Sequence, residues 1–326
     1  MEPLKFENIY VEKVWGGRTL NGFKNDLPDG QIGESWEISC HDHATSIVAN
    51  GVYKGRSLSD VISIEKKNLI GTAIDGERFP LLMKFLDAKN ELSIQVHPND
   101  DYALKNENDL GKTEAWVVLE AGENANMVLG TKNATPEEFR QAVENNNLEP
   151  LLNRVSVEKG DVYFIKSGLI HTMEDVLVAE IQQNSDTTYR VYDFGRGREL
   201  HIDKALDVMD MSLKGSKSKG LSFENNHFKK TYYCFDSNFS LERYDVFDEI
   251  CEQSDEERFF IFTCIDGIGT LNYSSGSMSL EKGESLLIPA TLGEYSFKGT
   301  LSLLKSYVPD TDKLRKEILD MVDKTI

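Results

Sequence analysis

Short segments that are apolar or alternate between apolar and polar recur along most of the chain, and each is bounded by Gly, Asn or Asp. Segments of this kind are typical of β-strands, because successive side chains of a strand point to opposite faces of the sheet. The pattern predicts strands at residues 45–48, 81–86, 92–96, 115–119, 125–129, 161–165, 176–182, 259–263, 269–273 and 284–288. Regular short strands separated by turns favour a barrel or a sandwich.

Helical signals are fewer, and they are found at residues 57–69, 135–145, 201–211 and 310–322. The second begins Thr135-Pro136-Glu137-Glu138, which offers a capping threonine, a proline at the first helical position and acids in the first turn. The chain is therefore expected to be mainly β with a few helices.

The sequence Gly-Ser-Lys-Ser-Lys-Gly at residues 215–220 is the best candidate for a linker. It predicts a first domain at residues 1–214 with helical insertions and a second at residues 221–326 that ends in a helix. The phrase at 283–288 mirrors the phrase at 160–165, but no histidine follows it at the matching place. The second domain is thus expected to repeat the architecture of the first without a metal.

The segment 92–99 carries the first chemical signal. Gln95 and His97 are two residues apart on a predicted strand, so their side chains project from the same face. Leu92, Ile94 and Val96 project from the other face and can pack into a core. An amide oxygen and an imidazole on a rigid strand indicate half of a metal site.

Two further segments supply more ligands. Lys112 and Glu114 are also two residues apart, at the entrance to a predicted strand, and His171 follows a strand and a glycine turn. Gln95, His97, Glu114 and His171 together offer two nitrogens and two oxygens. That donor set suits zinc or a similar divalent ion with one position left open for water or substrate.

Composition limits the partners and the location of the chain. No run of about 18 apolar residues is present, so no membrane span is expected. The four cysteines have no CxxC spacing and are expected to be reduced thiols in a cytoplasmic protein. The net charge of −19 argues against nucleic acid and anionic membranes. Because charge is screened beyond about 10 Å at 0.1 M salt, a local basic cluster can still bind a phosphate.

Five sequence blocks resemble the signature of one family, type I mannose-6-phosphate isomerase (phosphomannose isomerase), in its short bacterial form. The blocks lie at residues 33–39, 92–98, 112–114, 168–171 and 182–193. The resemblance is specific from about residue 15 to 193 and continues more weakly to about residue 309. It implies the cupin superfamily, with two cupin (jelly-roll-like) β-barrel units of which the first carries the metal site.

The resemblance also implies roles for individual residues. Gln95, His97, Glu114 and His171 match the ligands of one Zn²⁺ per chain, and Arg190 matches the essential active-site arginine. Lys112, Lys84 and Ser93 match residues of the substrate pocket, the last two near the phosphate. Glu180 and Asp186 match pocket carboxylates.

The implied reaction interconverts D-mannose 6-phosphate and D-fructose 6-phosphate through a cis-enediol. Arg190 would stabilise the developing negative charge. The base remains open among Lys112, a metal-bound water, Glu180 and Asp186, and so do the native metal, the residues that hold the phosphate and the physiological direction. The expected assembly is a monomer or a weak homo-oligomer. Two alternatives stay open: a metal cupin of different chemistry, such as an iron-dependent dioxygenase, and a non-catalytic cupin that binds sugar phosphates.

Overall fold

The structure, a computed structural model, describes residues 1–75 and 78–325. Strands dominate it, so the prediction of a mainly β protein with a few helices is confirmed. The strands are β1 Leu4–Lys5, β2 Ile9–Gly17, β3 Ile32–Ile38, β4 Cys40–His41, β5 Ala44–Thr45, β6 Leu81–Ala88, β7 Ile94–Val96, β8 Glu114–Thr131, β9 Leu152–Ser156, β10 Val162–Ile165, β11 His171–Gln183, β12 Tyr189–Tyr192, β13 Leu221–Glu224, β14 Phe228–Phe235, β15 Ser240–Val246, β16 Glu249–Gln253, β17 Phe260–Tyr273, β18 Gly276–Glu281, β19 Ser285–Ile288 and β20 Glu294–Tyr307. The α-helices are α1 Leu58–Glu65, α2 Lys67–Ile70, α3 Asp100–Asn106, α4 Pro136–Glu144, α5 Ile202–Val208 and α6 Thr311–Thr325.

Several predicted strands are parts of longer ones. The segments 115–119 and 125–129 both lie in β8, and 259–263 and 269–273 fall almost wholly in β17. Polar and glycine residues between them suggested turns. The β17–β20 ladder continues through these positions, whereas β8 runs on through residues 122–125 with a shift of register against β11.

Capping explains where the helices begin. Thr135 and Glu138 form a reciprocal capping box at the start of α4, as the sequence predicts. The sequence did not predict α3, which has only seven residues and one buried side chain. Its start is fixed by Asn99, whose side chain accepts a hydrogen bond from the backbone of Tyr102.

Contacts group the chain into two compact units. The first unit consists of residues 10–35 and 84–218, and the second unit of residues 1–9, 36–83 and 219–326. Residues 36–83, assigned from sequence to the first domain, thus group with the C-terminal part of the chain. The predicted division at 1–214, 215–220 and 221–326 stays a prediction, and its last residue, Ile326, lies outside the described residues.

The sheet that carries the first unit has the strand order β10-β8-β11-β6-β2-β3, with β7, β9 and β12 attached to it. Its longest ladder joins β8 and β11, with Gln182 opposite Glu114 at one end and His171 opposite Leu129 at the other. A flat ladder would separate those ends by roughly 35 Å at about 3.3 Å per residue.

The ladder is not flat, because the side chains of His171 and Glu114 approach to 3.4 Å. Two register shifts, between Glu174 and Val176 and between Leu177 and Val178, interrupt it. Asp175, which lies at the first of these shifts, has a φ of 53°. Bulges bend and twist a strand, so this ribbon curls until its two ends meet.

The second unit contains the same strand order in its own sheet. There β19-β17-β20-β15 corresponds to β10-β8-β11-β6 of the first unit, and β14 and β13 extend the edge. A buried cluster rich in aromatic and leucine side chains, including Tyr244, Phe262 and Phe297, forms its core. Among the described residues, no helix combines the length and the apolar character that a membrane crossing requires.

Replacing Thr135 by alanine tests the capping box of α4. The change removes an acceptor for the backbone N–H of Glu138 and should lower the free energy of unfolding by about 1 kcal/mol in urea titrations. Thr135→Ser keeps the hydroxyl and should unfold like the wild type. Equal stability of the alanine and serine variants would contradict the assignment.

Candidate metal centre and active site

Three neighbouring strands place polar residues directly opposite one another in the first unit. Gln95 on β7 pairs with His171 on β11 on one side and with Arg190 on β12 on the other. Side chains of directly opposed residues lie on the same face, with Cβ atoms about 5 Å apart. His171, Gln95 and Arg190 therefore form a row across the sheet.

His97, Glu114 and His171 converge at the His171 end of this row. The Nε2 atoms of the two histidines are 3.2 Å apart, and the Glu114 oxygens lie 3.7 Å from His97 Nε2 and 3.4 Å from His171 Nε2. All three side chains are at most 1% exposed. One potential ligand atom from each residue lies within 4.8 Å of the others.

The two rings present lone pairs to each other. His97 Nδ1 donates to the carbonyl oxygen of Thr187 at 3.0 Å, and His171 Nδ1 donates to that of Leu169 at 2.9 Å. A carbonyl oxygen only accepts, so each ring carries its proton on Nδ1, and its Nε2 is unprotonated. Burial holds the pKa of His97 well below its usual range, helped by Lys112, and burial lowers the pKa of His171 to about 4. Both rings are neutral near pH 7.

The carboxylate of Glu114 is only partly stabilised at the same point. Burial, and then the carboxylate of Glu180, raises the pKa of Glu114 to about 7, which Lys112 offsets only in part. Glu114 Oε1 is buried and has no hydrogen-bond donor among the described residues. Two facing imidazole lone pairs and a buried carboxylate oxygen fit a divalent cation, whose charge would stabilise all three.

Gln95 lies next to this set. Its Nε2 is 3.4 Å from His171 Nε2, and its Oε1 accepts from the hydroxyl of Ser93 at 3.0 Å. The two ends of an amide are assigned by their hydrogen bonds, and turning the amide over exchanges them. The turned amide would point its oxygen toward the histidines, as a metal ligand must.

A buried network of charges surrounds Glu114. Lys112 Nζ donates to Glu114 Oε2, lies 3.2 Å from His97 Nε2 and is 3.9 Å from Glu180 Oε1. Lys84 Nζ is 3.2 Å from the same oxygen of Glu180. Burial alone would lower the pKa of Lys84, but the carboxylates of Glu180 and Glu34 raise it instead. Lys84, Lys112 and Glu180, all proposed from sequence, are thus brought together beside the candidate metal ligands.

Arg190 is held on two sides. Its Nε donates to Ser93 Oγ at 3.2 Å and its Nη1 to the carbonyl oxygen of Glu199 at 2.9 Å. Asp193, three residues further along the chain, forms its ion pairs with Arg196 and Arg198. Burial, and then Arg198, lowers the pKa of Arg190.

Asp186 is exposed, unlike the other sequence-predicted residues. Its charge contributes to raising the pKa of Lys84, and its backbone N–H donates to Asp109 Oδ2 at 3.3 Å. The same oxygen accepts from the hydroxyls of Ser185 and Thr187, each at 2.8 Å. Asp109 therefore fixes the loop whose Thr187 carbonyl holds His97.

Sequence reasoning missed two contributors. Trp116 donates from Nε1 to Glu180 Oε2 at 2.7 Å and stands edge-on to the His171 ring. It is two residues from Glu114 on one strand, so the period of the strand was a usable signal. Asp109 gave no signal, because only the folded loop brings it to residues 185–187.

Comparison with known proteins identifies the family. The family model described as "Phosphomannose isomerase type I, catalytic domain" matches residues 4–154, and "Mannose-6-phosphate isomerase, cupin domain" matches residues 229–308. A Bacillus subtilis relative named "Putative mannose-6-phosphate isomerase YvyI" is 36% identical over 94% of this chain and 99% of its own length. The chain belongs to the type I mannose-6-phosphate isomerase family.

Other members of this family agree along the same length. The mannose-6-phosphate isomerase of Streptococcus mutans is 34% identical over 94% of this chain and 98% of its own. The crystal structure of the mannose 6-phosphate isomerase from Bacillus subtilis superposes with a TM-score of 0.88, at 35% identity, and covers 94% of this chain and 99% of that one. The predicted family and the cupin fold class are confirmed.

Replacing Asp109 by alanine tests how the loop positions His97. The change frees residues 185–187 and should weaken divalent-metal binding by about ten- to a hundredfold, measured with a competing chelator, because orienting hydrogen bonds tune a ligand's affinity. Asp109→Asn keeps one acceptor oxygen and should fall between.

The matched control is Asp101→Asn on α3, an exposed residue of the same unit. Metal affinity should be unchanged in this control. Unaltered affinity in Asp109→Ala would show that Thr187 holds His97 without help from Asp109.

Proposed function

We propose that the protein interconverts D-mannose 6-phosphate and D-fructose 6-phosphate in a metal-dependent reaction through a cis-enediol. The observation that carries the proposal is the buried set of His97, Glu114 and His171, whose bare Nε2 atoms face each other at 3.2 Å. Full-length relatives named as mannose-6-phosphate isomerases support the substrate.

The proposed cofactor is one Zn²⁺ per chain, held by Gln95, His97, Glu114 and His171. Nitrogen and oxygen donors of this kind suit zinc. When bound, the ion would polarise the oxygens on C1 and C2 of the sugar, which makes the C2 proton more acidic.

Arg190 is proposed to stabilise the negative charge that develops on those oxygens. Its hydrogen bonds to Ser93 and to the carbonyl of Glu199 fix the plane of the guanidinium before substrate arrives. A donor oriented in advance loses no free energy to reorganisation during the reaction. Its position opposite Gln95 sets this charge one strand away from the proposed ligand.

Ser93 connects the proposed metal site to the proposed substrate pocket. A serine hydroxyl has one hydrogen to donate and two lone pairs. If the amide of Gln95 turns to ligate, Ser93 Oγ accepts from both Gln95 and Arg190, and its hydrogen becomes available to an oxygen of the substrate. Metal binding would thereby prepare Ser93 as a donor.

Proton transfer between C2 and C1 is assigned to the group formed by Lys112, Glu180 and Asp186. Glu180 already faces Trp116 with one oxygen and Lys84 with the other, and Lys112 and Lys84 outweigh burial to lower its pKa. These contacts favour Glu180 as the anchor of the two lysines. Lys112, in contact with His97 and Glu114, then lies nearest the proposed metal.

Lys84 stays proposed as a residue of the substrate pocket. Its ion pair with Glu180 and its 4.0 Å approach to Glu34 favour a role in orienting Glu180 and in keeping the pocket electropositive. The phosphate would anchor the far end of the sugar, so that remote binding energy aligns the reacting carbons.

One observation favours a second candidate. Two histidines and one carboxylate are also the ligand set of non-haem iron oxygenases. Gln95 as a further ligand and the family membership favour the isomerase. Oxygen uptake by the iron-loaded protein would favour the oxygenase instead.

The remaining proposals concern location and assembly. A cytoplasmic enzyme that acts on a small sugar phosphate, as a monomer or weak homo-oligomer, is supported by four free cysteines and by the net charge of −19. Neither nucleic acid nor membrane is proposed as a partner.

A coupled assay for fructose 6-phosphate formed from mannose 6-phosphate tests the reaction directly. Activity should be lost after chelation, because His97, Glu114 and His171 would then lack their cation. It should return when zinc is restored. The His171→Asn variant, measured alongside, should bind no zinc and stay inactive after zinc addition. A folded, zinc-loaded protein without turnover would end the isomerase proposal.

Truncation of Arg190 tests the charge-stabilising role. Arg190→Ala should lower kcat by about a hundred- to a thousandfold while zinc content stays near one per chain. Arg190→Lys keeps the charge but not the planar donors and should recover part of the loss.

Arg140→Ala is the matched control. Arg140 forms an ion pair with Asp203, and the side chain of Asp203 is largely exposed. This variant should retain full turnover. Near-normal kcat in Arg190→Ala would remove Arg190 from the mechanism.

A further inference from the structure

The second unit buries charged residues on the strands that correspond to those of the candidate metal centre. In the first unit, Glu180 on β11 stands directly opposite Trp116 on β8. In the second unit, Lys305 on β20 stands opposite Phe262 on β17, in the same strand order. The buried carboxylate of one unit is thus replaced by a buried ammonium in the other.

A row of polar residues extends from Lys305 across two more strands. Lys305 is opposite Glu242 on β15, and Glu242 is opposite Tyr232 on β14. Lys230, on the same strand as Tyr232, lies 3.1 Å from Glu242 Oε2. Lys230, Glu242 and Lys305 are each at most 6% exposed.

Phenol hydroxyls complete the cluster. Tyr307 donates to Glu242 Oε1 at 2.5 Å, and Tyr244 lies within 3.1 Å of Glu242 and 3.0 Å of Glu252. Lys305 donates to Glu252 Oε2 at 2.7 Å and lies 4.2 Å from the centre of the Phe260 ring. We call this set the lysine–tyrosine cluster: Lys230, Tyr232, Glu242, Tyr244, Glu252, Tyr295, Lys305 and Tyr307.

The composition of the lysine–tyrosine cluster suits an anion and not a metal. Two ammonium groups and four phenols supply donors, and neither histidine nor cysteine belongs to it. Its two carboxylates, Glu242 and Glu252, balance the two lysines. The ammonium of Lys230 has one further negative neighbour beyond these two carboxylates.

That position is taken by the chain itself. Lys230 Nζ donates to Glu317 Oε1 at 3.0 Å, and Tyr232 donates to the same oxygen at 2.5 Å. Glu317 lies on α6, and its side chain is 46% exposed, so its carboxylate reaches the cluster from the solvent side. Two donors that converge on one oxygen form a cradle for a carboxylate or a phosphate.

The hydroxyl of one member of the cluster lacks a hydrogen-bond partner in the part of the chain that the structure describes. Tyr295 is 3% exposed, and its buried hydroxyl makes no hydrogen bond among the described residues. Burial, and then Glu252 and Glu242, raises the pKa of this phenol, so it keeps its proton at neutral pH and remains a donor. Buried donors in folded proteins almost always have an acceptor, so this hydroxyl is available to a ligand.

We propose that the second unit is a binding site for a small carboxylate or phosphate anion, which replaces the carboxylate of Glu317 between Lys230 and Tyr232 while α6 moves aside. The anion carries the charge that Glu317 gives up, so the net charge beside Lys230 stays the same. Leu314, Ile318 and Met321 pack α6 against the same core. The helix is therefore the lid of this site and Glu317 its internal competitor.

Titration calorimetry of the full-length protein with inorganic phosphate and, separately, with succinate tests the proposal. Glu317→Gln removes the competing charge and keeps the size of the side chain. One of the two anions should then bind at least about tenfold more tightly than to the wild type. A change of this size corresponds to the free energy of the charge-assisted hydrogen bond that Glu317 no longer makes. Asp320→Asn, the same charge change at an exposed residue of α6, should bind like the wild type.

A second substitution in the Glu317→Gln protein locates the binding. Lys230→Met, or Tyr232→Phe where the former does not fold, should abolish the added binding and leave any phosphate binding by the first unit unchanged. Amide hydrogen exchange in α6 should also rise when the anion binds. Equal affinities of Glu317→Gln and wild type for both anions, or added binding that survives these substitutions, would overturn the proposal whether or not the protein is an isomerase.

Discussion

The curl of the β8–β11 ladder is the constraint on which the candidate site depends. Register alone places His171 and Glu114 at opposite ends of a long antiparallel ribbon, and yet their side chains approach to 3.4 Å. The register shifts around Asp175 make this bend possible, because β8 has more residues than β11 between the paired positions. The two imidazoles, each fixed by a backbone carbonyl, then face each other across a buried space whose donor atoms fit a divalent cation.

How far the sequence predicts this arrangement differs from residue to residue. Gln95 and His97 could be paired on one face from the period of a strand, and the location of Thr135 as a helix cap followed from its neighbours. The closeness of Glu114 to His171 could not be obtained in this way, because it arises from bulges that leave no simple pattern. The family resemblance supplied that step, and it also led to Lys84, Glu180 and Arg190.

Local pattern failed where tertiary contacts decide. Polar residues such as Glu123 and Asn124 suggested a turn, but β8 runs through them because β11 offers partners further along. Asp109 stands near no motif, and its role exists only because residues 185–187 fold back onto it. Residues 36–83 precede the candidate linker and group by contacts with residues 219–326, while the predicted division at 215–220 stays a prediction.

The two units show one strand order put to two electrostatic uses. The first arranges two neutral imidazoles and a carboxylate around a candidate cation site, whereas the second arranges ammonium and phenol groups around a carboxylate. In both, the buried polar groups lie on the strands of the longest ladder and on strands next to it. Burying ions is costly unless partners compensate, so such clusters indicate sites more than they indicate stability.

X-ray absorption at the zinc edge of the metal-loaded protein tests the central claim most directly. We expect two imidazole nitrogens at about 2.0–2.1 Å together with oxygen ligands, and no sulfur, because the ligand cluster within the described residues contains histidine and glutamate but no cysteine. A zinc–sulfur distance of about 2.3 Å, or a spectrum that contains a single imidazole, would contradict it.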